Sequence, residues 1–333
     1  MVRSQPHRLS LLLALLLAAV FSAAVLIGPT GLPTATAWKG LLTGSSEPGT
    51  VILREVRLPR ALLGAMIGGI LALSGSVLQG ITRNPLVEPG VLGISAWASV
   101  GAVLALYHGV ISISPVLLPL AAMTGAGLVL VPLGFLAAGR SGLLGLVLAG
   151  LAFSSLGGAL VALILNLAPN PYAVSEMMLW LMGSVRDRTL ADCLLALPGL
   201  LLGGGLLFAL RRGLDALTLG DEVAASMGVS LGRVRLMAVA GVGLGVGSAV
   251  AVAGSIGFVG LIVPHLLRLL GVVRPSALLL PSALAGALLI SAADLGVRLM
   301  AGTGGELQLG TVTSLIGAPV FLALLWRLRG RPQ

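Results

Sequence analysis

Apolar runs of about 20 residues recur along this chain, divided by short stretches that hold nearly all of its charge. That is roughly the length an α-helix needs to cross the hydrocarbon core of a bilayer. No water is available there, so each run must pair its own backbone N–H and C=O groups, which a helix does and a lone strand cannot. The expected fold is therefore all-α, a polytopic integral membrane protein with about ten transmembrane helices. The runs fall at about residues 9–28, 61–81, 91–107, 115–138, 142–168, 189–210, 236–253, 256–270, 276–297 and 309–327. With 57% hydrophobic and only 9% charged residues, the chain has too little polar surface to cover a soluble domain. Residues 1–333 are read as a single transmembrane domain.

Arg3 and Arg8 precede the first run, and an Ala35-Thr36-Ala37 triplet follows it. A cleaved signal peptide would carry similar features. The run is longer than the roughly 7–15 apolar residues of such a signal, however, and ends well before the triplet. A retained first span is expected, with residues 1–8 as a cytoplasmic N-terminus. Ten spans then return the C-terminus to the cytoplasmic side. On that topology 13 of the 20 Lys and Arg residues lie inside and 7 outside, while 4 of the 11 acidic residues lie inside. The whole net charge of +9 falls on the inner side. That is the asymmetry that orients helices in a cell (inner) membrane. It is not a nucleic-acid footprint, and no nucleic-acid partner is expected.

Residues 254–271, GSIGFVGLIVPHLLRLLG, organise the rest. Proline lacks a backbone donor and crowds the preceding turn, so a bend or a helix start is expected at Pro264-His265. In lipid such a break survives only where protein or a lined cavity covers the freed backbone. An earlier stretch echoes it: Gly75 precedes Pro85 by ten residues, as Gly254 precedes Pro264. Broken segments at matching places in two halves are the mark of a transporter with internal repeats.

Two further stretches lie on the expected cytoplasmic side. Residues 79–93, QGITRNPLVEPGVLG, hold Gln79, Asn84, Pro85, Glu88, Pro89 and Gly93. Each proline pushes the residue before it towards extended backbone. The stretch is either a tight loop re-entering the bundle or an ordinary turn. Residues 217–235, LTLGDEVAASMGVSLGRVR, form the longest cytoplasmic loop. Thr218 with Asp221 reads as a capping box, and Asp221 and Glu222 suit the positive end of a short helix. Ala224, Ala225 and Met227 supply a small apolar face, and Gly228 stops the turn. Such short helices suit a partner's groove, although a solvated linker has the same pattern.

On the outer side stand Arg57 and Arg60, and Asp294 with Arg298 forms an i,i+4 pair. The plain reading is interfacial anchoring and a helix-surface ion pair of roughly 0.2–0.5 kcal/mol. The functional reading is a basic surface for an acidic protein. Residues 170–188 form an amphipathic segment in which Trp180 reads as an interfacial anchor. Several chemistries are excluded. There is no G-x-x-x-x-G-K-[ST], and the lone lysine, Lys39, lies outside any glycine-rich loop, so the chain is no P-loop ATPase. His7, His108 and His265 share no ligand spacing, and Cys193 has no partner for an internal disulfide. No metal or other cofactor and no enzymatic activity are expected. A secondary transporter would need coupling-ion ligands within the spans, and the charge map supplies almost none.

Several motifs resemble one family closely: VRLPR at 56–60, SGSVLQGITRNPLVEPGVLGIS at 74–95, LGDEVAASMGV at 219–229, GSIGFVGLIVPHLLRLLG at 254–271, ADLGVR at 293–298 and GTVTSLIGAP at 310–319. The chain resembles the FecCD/BtuC-like permeases, the membrane subunits of binding-protein-dependent ABC importers for iron–siderophores, haem and vitamin B12. The resemblance implies ten spans, a second permease copy or sister permease, two cytoplasmic ABC ATPase subunits and an extracytoplasmic substrate-binding protein. It makes 219–229 the ATPase-coupling element, with Gly220, Asp221, Glu222, Ala224, Ala225 and Gly228. It makes Arg57, Arg60 and Arg298 the arginines that receive acidic residues of the binding protein. The fifth and tenth spans, with 170–183, would line or gate the path. The chain departs from the family's usual pattern at Trp97, Gln308 and Leu299.

Overall fold

A computed structural model describes residues 6–28, 47–139, 142–300 and 305–329. The described residues form helices and connecting turns, with no strand among them. In chain order the helices are α1 (Pro6–Leu26), α2 (Pro48–Thr82), α3 (Ile94–Tyr107), α4 (Leu117–Ala138), α5 (Gly142–Asn166), α6 (Pro171–Leu181) and α7 (Leu190–Ala209). Then follow α8 (Arg211–Leu217), α9 (Asp221–Ser226), α10 (Leu231–Ala253), α11 (Val259–Leu269), α12 (Pro275–Met300) and α13 (Leu309–Arg329). Seven of them are long and apolar enough to cross a membrane: α1, α2, α4, α5, α7, α10 and α12. The other three expected spans coincide with shorter apolar helices, namely α3, α11 and the Leu309–Ala323 part of α13. Helix length alone therefore yields seven spans rather than ten.

Two boundaries differ from expectation. α2 begins at Pro48, so the polar segment expected to connect spans up to Arg60 is helical from there. Pro59 cannot donate to the ladder, and just ahead of it the helix widens into a π-turn at Leu53–Arg57, with the Leu58 N–H reaching back to the Leu53 carbonyl. The break near Pro264 also lies elsewhere. α10 ends at Gly254 (φ 70°), residues 254–258 are non-helical, and α11 starts after Phe258 (φ 66°) and runs through Pro264. Glycine tolerates positive φ at no cost, so the chain turns there instead of at the proline.

The apolar side chains of α2 and α10 are the most thoroughly enclosed. α2 packs against α12, α11, α10 and α7, while α10 also packs against α4 and α3. Small residues set these crossings, as expected where packing rather than water drives helix association. A Cβ at Gly68 would overlap the Gly286 carbonyl of α12, and one at Gly75 would overlap the Gly260 carbonyl of α11. The two echoing stretches thus touch, yet they fold differently. Gly75 is mid-helix with Pro85 in a loop, whereas Gly254 is in a turn with Pro264 mid-helix. At Gly75 there is no flexible side chain to yield, so Gly75→Leu should abolish the folded bundle or lower its apparent Tm by many degrees in a detergent melt. Gly127→Ala on α4, where a Cβ meets open space, should leave the same melt unchanged within about 0.5 kcal/mol.

Candidate functional site

Gln79 sits on the buried face of α2, inside the helix rather than in the loop that follows. Pro264 has no N–H, so the Gly260 carbonyl loses its helical partner. The Gln79 amide donates to that carbonyl at 3.2 Å and to the Leu261 carbonyl at 3.3 Å. Its Oε1 accepts from Arg268 Nη2 at 2.7 Å. One side chain thus covers the defect that Pro264 makes and orients the arginine that closes α11. His265 lies half-buried on that helix.

Beyond α2 the loop turns at Arg83, in the left-handed conformation (φ 50°). Asn84 Oδ1 accepts from the Leu86 N–H at 2.9 Å, an Asx-turn that leads into Pro85. Pro89 is buried and opens a 3-10 turn, which ends at Gly93 (φ 76°) against the α5 backbone. Ser154 on α5 donates to the Gly90 carbonyl at 3.1 Å, and Glu88 lines a small cavity together with Phe258, at the start of α11. Val87, Pro89 and Leu92 of this stretch are buried, while Arg83, Asn84 and Leu86 are exposed. Trp97 on α3 donates to the Phe153 carbonyl at 3.1 Å, tying α3 to α5.

Residues 217–235 differ from their sequence reading in two respects. Thr218 does not cap α9: its hydroxyl donates to the Asp215 carbonyl at 2.6 Å and closes α8, two residues too early for the Gly220 N-cap (φ 105°). Ala224 faces inward and is fully buried, while Leu219, Val223 and Met227 stand exposed at four-residue intervals. Val223 and Met227 follow the register of α9, whereas Leu219 lies in the turn ahead of the Gly220 N-cap. Gly228 (φ 85°) ends α9, with the Val229 N–H returning to the Ala224 carbonyl at 3.0 Å. Asp221 pairs with Arg83 at the end of α2 and with Arg235 Nη2 on α10 at 3.3 Å. Glu222 and Ala225 are exposed. Asp215, not singled out in the sequence, accepts from Arg274 Nε at 2.8 Å and the Ser276 N–H at 3.0 Å, joining α8 to the start of α12. Burial alone would raise its pKa, but Arg274 and Ser276 outweigh that and hold the carboxyl below the usual range.

At the other end of α2, Arg57, Arg60 and Arg298 are only 5%, 8% and 5% exposed. Arg57 Nη1 donates to the Leu26 carbonyl of α1 at 2.7 Å. Arg60 Nε donates to Asp294 Oδ1 at 2.9 Å, and its Nη2 to Glu306 Oε2 at 2.8 Å. Arg298 pairs with Asp294 at 3.2 Å and donates to the Ala24 carbonyl at 2.9 Å. The Asp294–Arg298 pair is therefore buried, not on a helix surface, because α1 packs over this end of α12. Glu306, which the sequence reading did not assign, completes the cluster. Trp180 is also buried instead of sitting at an interface. It ends α6 where three segments meet: the Ser184 N–H bonds the Ala253 carbonyl at 2.7 Å, and the Gly310 N–H bonds the Gly183 carbonyl at 3.1 Å.

Residues 14–327 match the model of the FecCD transport family. The chain belongs to that family. It is 41% identical over 312 residues to the vitamin B12 import system permease protein BtuC of Vibrio cholerae, covering 91% of this chain and 89% of the relative. It is 38% identical to the Fe(3+) dicitrate transport system permease protein FecD of Escherichia coli, covering 88% and 91%. It is 36% identical to the hemin transport system permease protein HmuU of Yersinia pestis, covering 98% of both. A solved structure described as an inward-facing metal-chelate type ABC transporter superposes with a TM-score of 0.85 at 31% identity, covering 96% of this chain and 99% of that one.

Replacing Gln79 removes two roles at once. Gln79→Leu should destabilise the protein by about 1–3 kcal/mol, the cost of leaving a buried carbonyl and a guanidinium edge unpaired. Asn84→Ala, in an exposed turn, should cost about 0.5 kcal/mol or less in the same detergent melt.

Proposed function

We propose that this FecCD-family chain is the permease subunit of a binding-protein-dependent ABC importer that carries a bulky metal chelate inward, an iron(III)–siderophore foremost. Cobalamin and haem are the other cargoes of the same scaffold. The observation that carries the class is that relatives matched along nearly their whole length are named for B12, ferric dicitrate and hemin. The ten apolar helices form one permease domain in the cell membrane, with both termini in the cytoplasm as the charge asymmetry favours. A second permease copy or a sister permease completes the path, and ATP is hydrolysed on separate cytoplasmic subunits.

In this reading α9 is the coupling helix. Val223 and Met227 on α9, with Leu219 in the turn ahead of it, offer exposed apolar side chains to a groove of the ATPase. Asp221, at the first turn of α9, is tied to Arg83 and Arg235, so a displacement of α9 reaches the ends of α2 and α10. From Arg83 the loop continues to Glu88, which lines one cavity with Ser255, Gly257 and Phe258 at the break between α10 and α11. Arg57, Arg60 and Arg298 form the docking end for the acidic lobes of the binding protein.

Affinity purification of the tagged chain from its host in mild detergent tests the class: a P-loop ATPase and a two-lobed binding protein should co-elute, and the ligand released from the latter names the cargo. Recovery of the chain with neither partner, even after crosslinking, would reject the importer. Asp221→Arg should lower transport severalfold in vesicles while costing stability only about 0.2–1 kcal/mol, since the pair is exposed. Adding Arg83→Asp should restore transport if the pair transmits motion; no restoration would sink that role.

A further inference from the structure

The buried cluster at the docking end holds three arginines and two carboxylates, and the two acids are not equivalent. Asp294 sits within α12, is 4% exposed, and serves both Arg60 and Arg298. Glu306 lies in the short non-helical stretch ahead of α13, is 16% exposed, and among the described residues bonds Arg60. Among the described residues it is the most accessible member of the cluster. Arg60 Nη2 lies 2.8 Å from Asp294 Oδ1 and 2.8 Å from Glu306 Oε2, while Nε is held by Asp294. If Glu306 leaves, Asp294 still orients the guanidinium and its Nη2 edge opens to a carboxylate arriving from outside.

From this asymmetry we infer that Glu306 is an internal competitor for Arg60, displaced when an acidic residue of the binding protein docks, and that its release frees the start of α13. The inference rests on the proposed docking role of the arginines. Glu306 stands four residues before Gly310, whose N–H is fixed to the Gly183 carbonyl and whose Cα face is pressed on the Met182 and Ser255 carbonyls. The stretch between carries no other charged side chain. Losing the bond to Arg60 removes its one charged anchor, next to the junction where α6, the α10–α11 break and α13 meet. A docking event thereby reaches the last span without any movement of α12.

The test uses the complete importer in lipid nanodiscs and the binding protein recovered with it, with docking read by surface-based kinetics and ATP hydrolysis measured with and without that protein. Glu306→Gln removes the competing charge and keeps the shape, and Glu306→Ser is a second neutral variant. Both should tighten docking roughly tenfold, the equivalent of one charge-assisted hydrogen bond no longer to be broken. Both should also raise hydrolysis in the absence of binding protein, which a merely structural residue would not do. Gln308→Ala, outside the cluster, should do neither. Arg60→Glu separates the two failures. If it weakens docking while the neutral Glu306 variants dock like the wild type, the competitor is overturned and the docking role stands. If Arg60→Glu leaves docking unchanged, the docking role falls and the inference with it.

Discussion

The carbonyl of Gly260, left without a donor by Pro264, has no water to turn to inside a bilayer, and the Gln79 amide takes it. Much of the bundle follows from that bond. It covers the carbonyl left open where α11 runs through Pro264, while the chain breaks earlier, at 254–258. It also requires α2 and α11 to lie within reach of one glutamine side chain, and a glycine-on-glycine crossing brings them that close. Gly75 against Gly260 provides it, and a second such contact, Gly68 against Gly286, seats α12 on another face of α2. The central helix is thus gripped at two heights by backbone, where side-chain rearrangement cannot loosen it.

α2 consequently behaves as a strut between two sets of charges. One end carries Arg57 and Arg60, joined to α1, α12 and the approach to α13. The other carries Gln79 and Arg83, joined to α11 and to α9. Between them the α10–α11 break collects α6 and α13 through backbone bonds at Ser184 and Gly310, and Glu88 of the loop after α2 lines a cavity beside it. A membrane protein has few buried polar groups to place, and here they are concentrated where elements must be held at a defined angle.

The sequence made the class of fold plain because membrane insertion is encoded in length and apolarity alone. The motifs around Gln79, Asp221 and Pro264 were legible for a similar reason: a proline, a glycine or a paired charge in such a chain is rarely incidental. What stayed hidden depends on distant pairing. The apolar run containing Pro264 does not say that Gln79, nearly two hundred residues earlier in the chain, will repair it, so the proline read as the break. Arg60 read as an outward charge because its partners, Asp294 and Glu306, lie more than two hundred residues away in the chain, and Arg298 because only the packing of α1 against α12 buries its pair with Asp294. Ala224 and Ala225 read as a docking face because small residues suit grooves, whereas the inward turn of Ala224 follows from the contact of α9 with α8 and α10.

The two charged ends differ in a way that fits their proposed work. At the coupling end, Arg83 and Asp221 are 47% and 43% exposed, so water screens the pair and separating it costs little. At the docking end, Asp294 and Arg298 are each 4% exposed, where stripping one ion of its partner costs about 3–5 kcal/mol. A platform that must receive a large protein in one orientation benefits from charges that cannot wander. A joint that must follow a moving ATPase needs a contact that breaks and reforms within thermal reach. The burial of the same kind of ion pair, deep at one end of α2 and shallow at the other, is enough to make one end stiff and the other compliant.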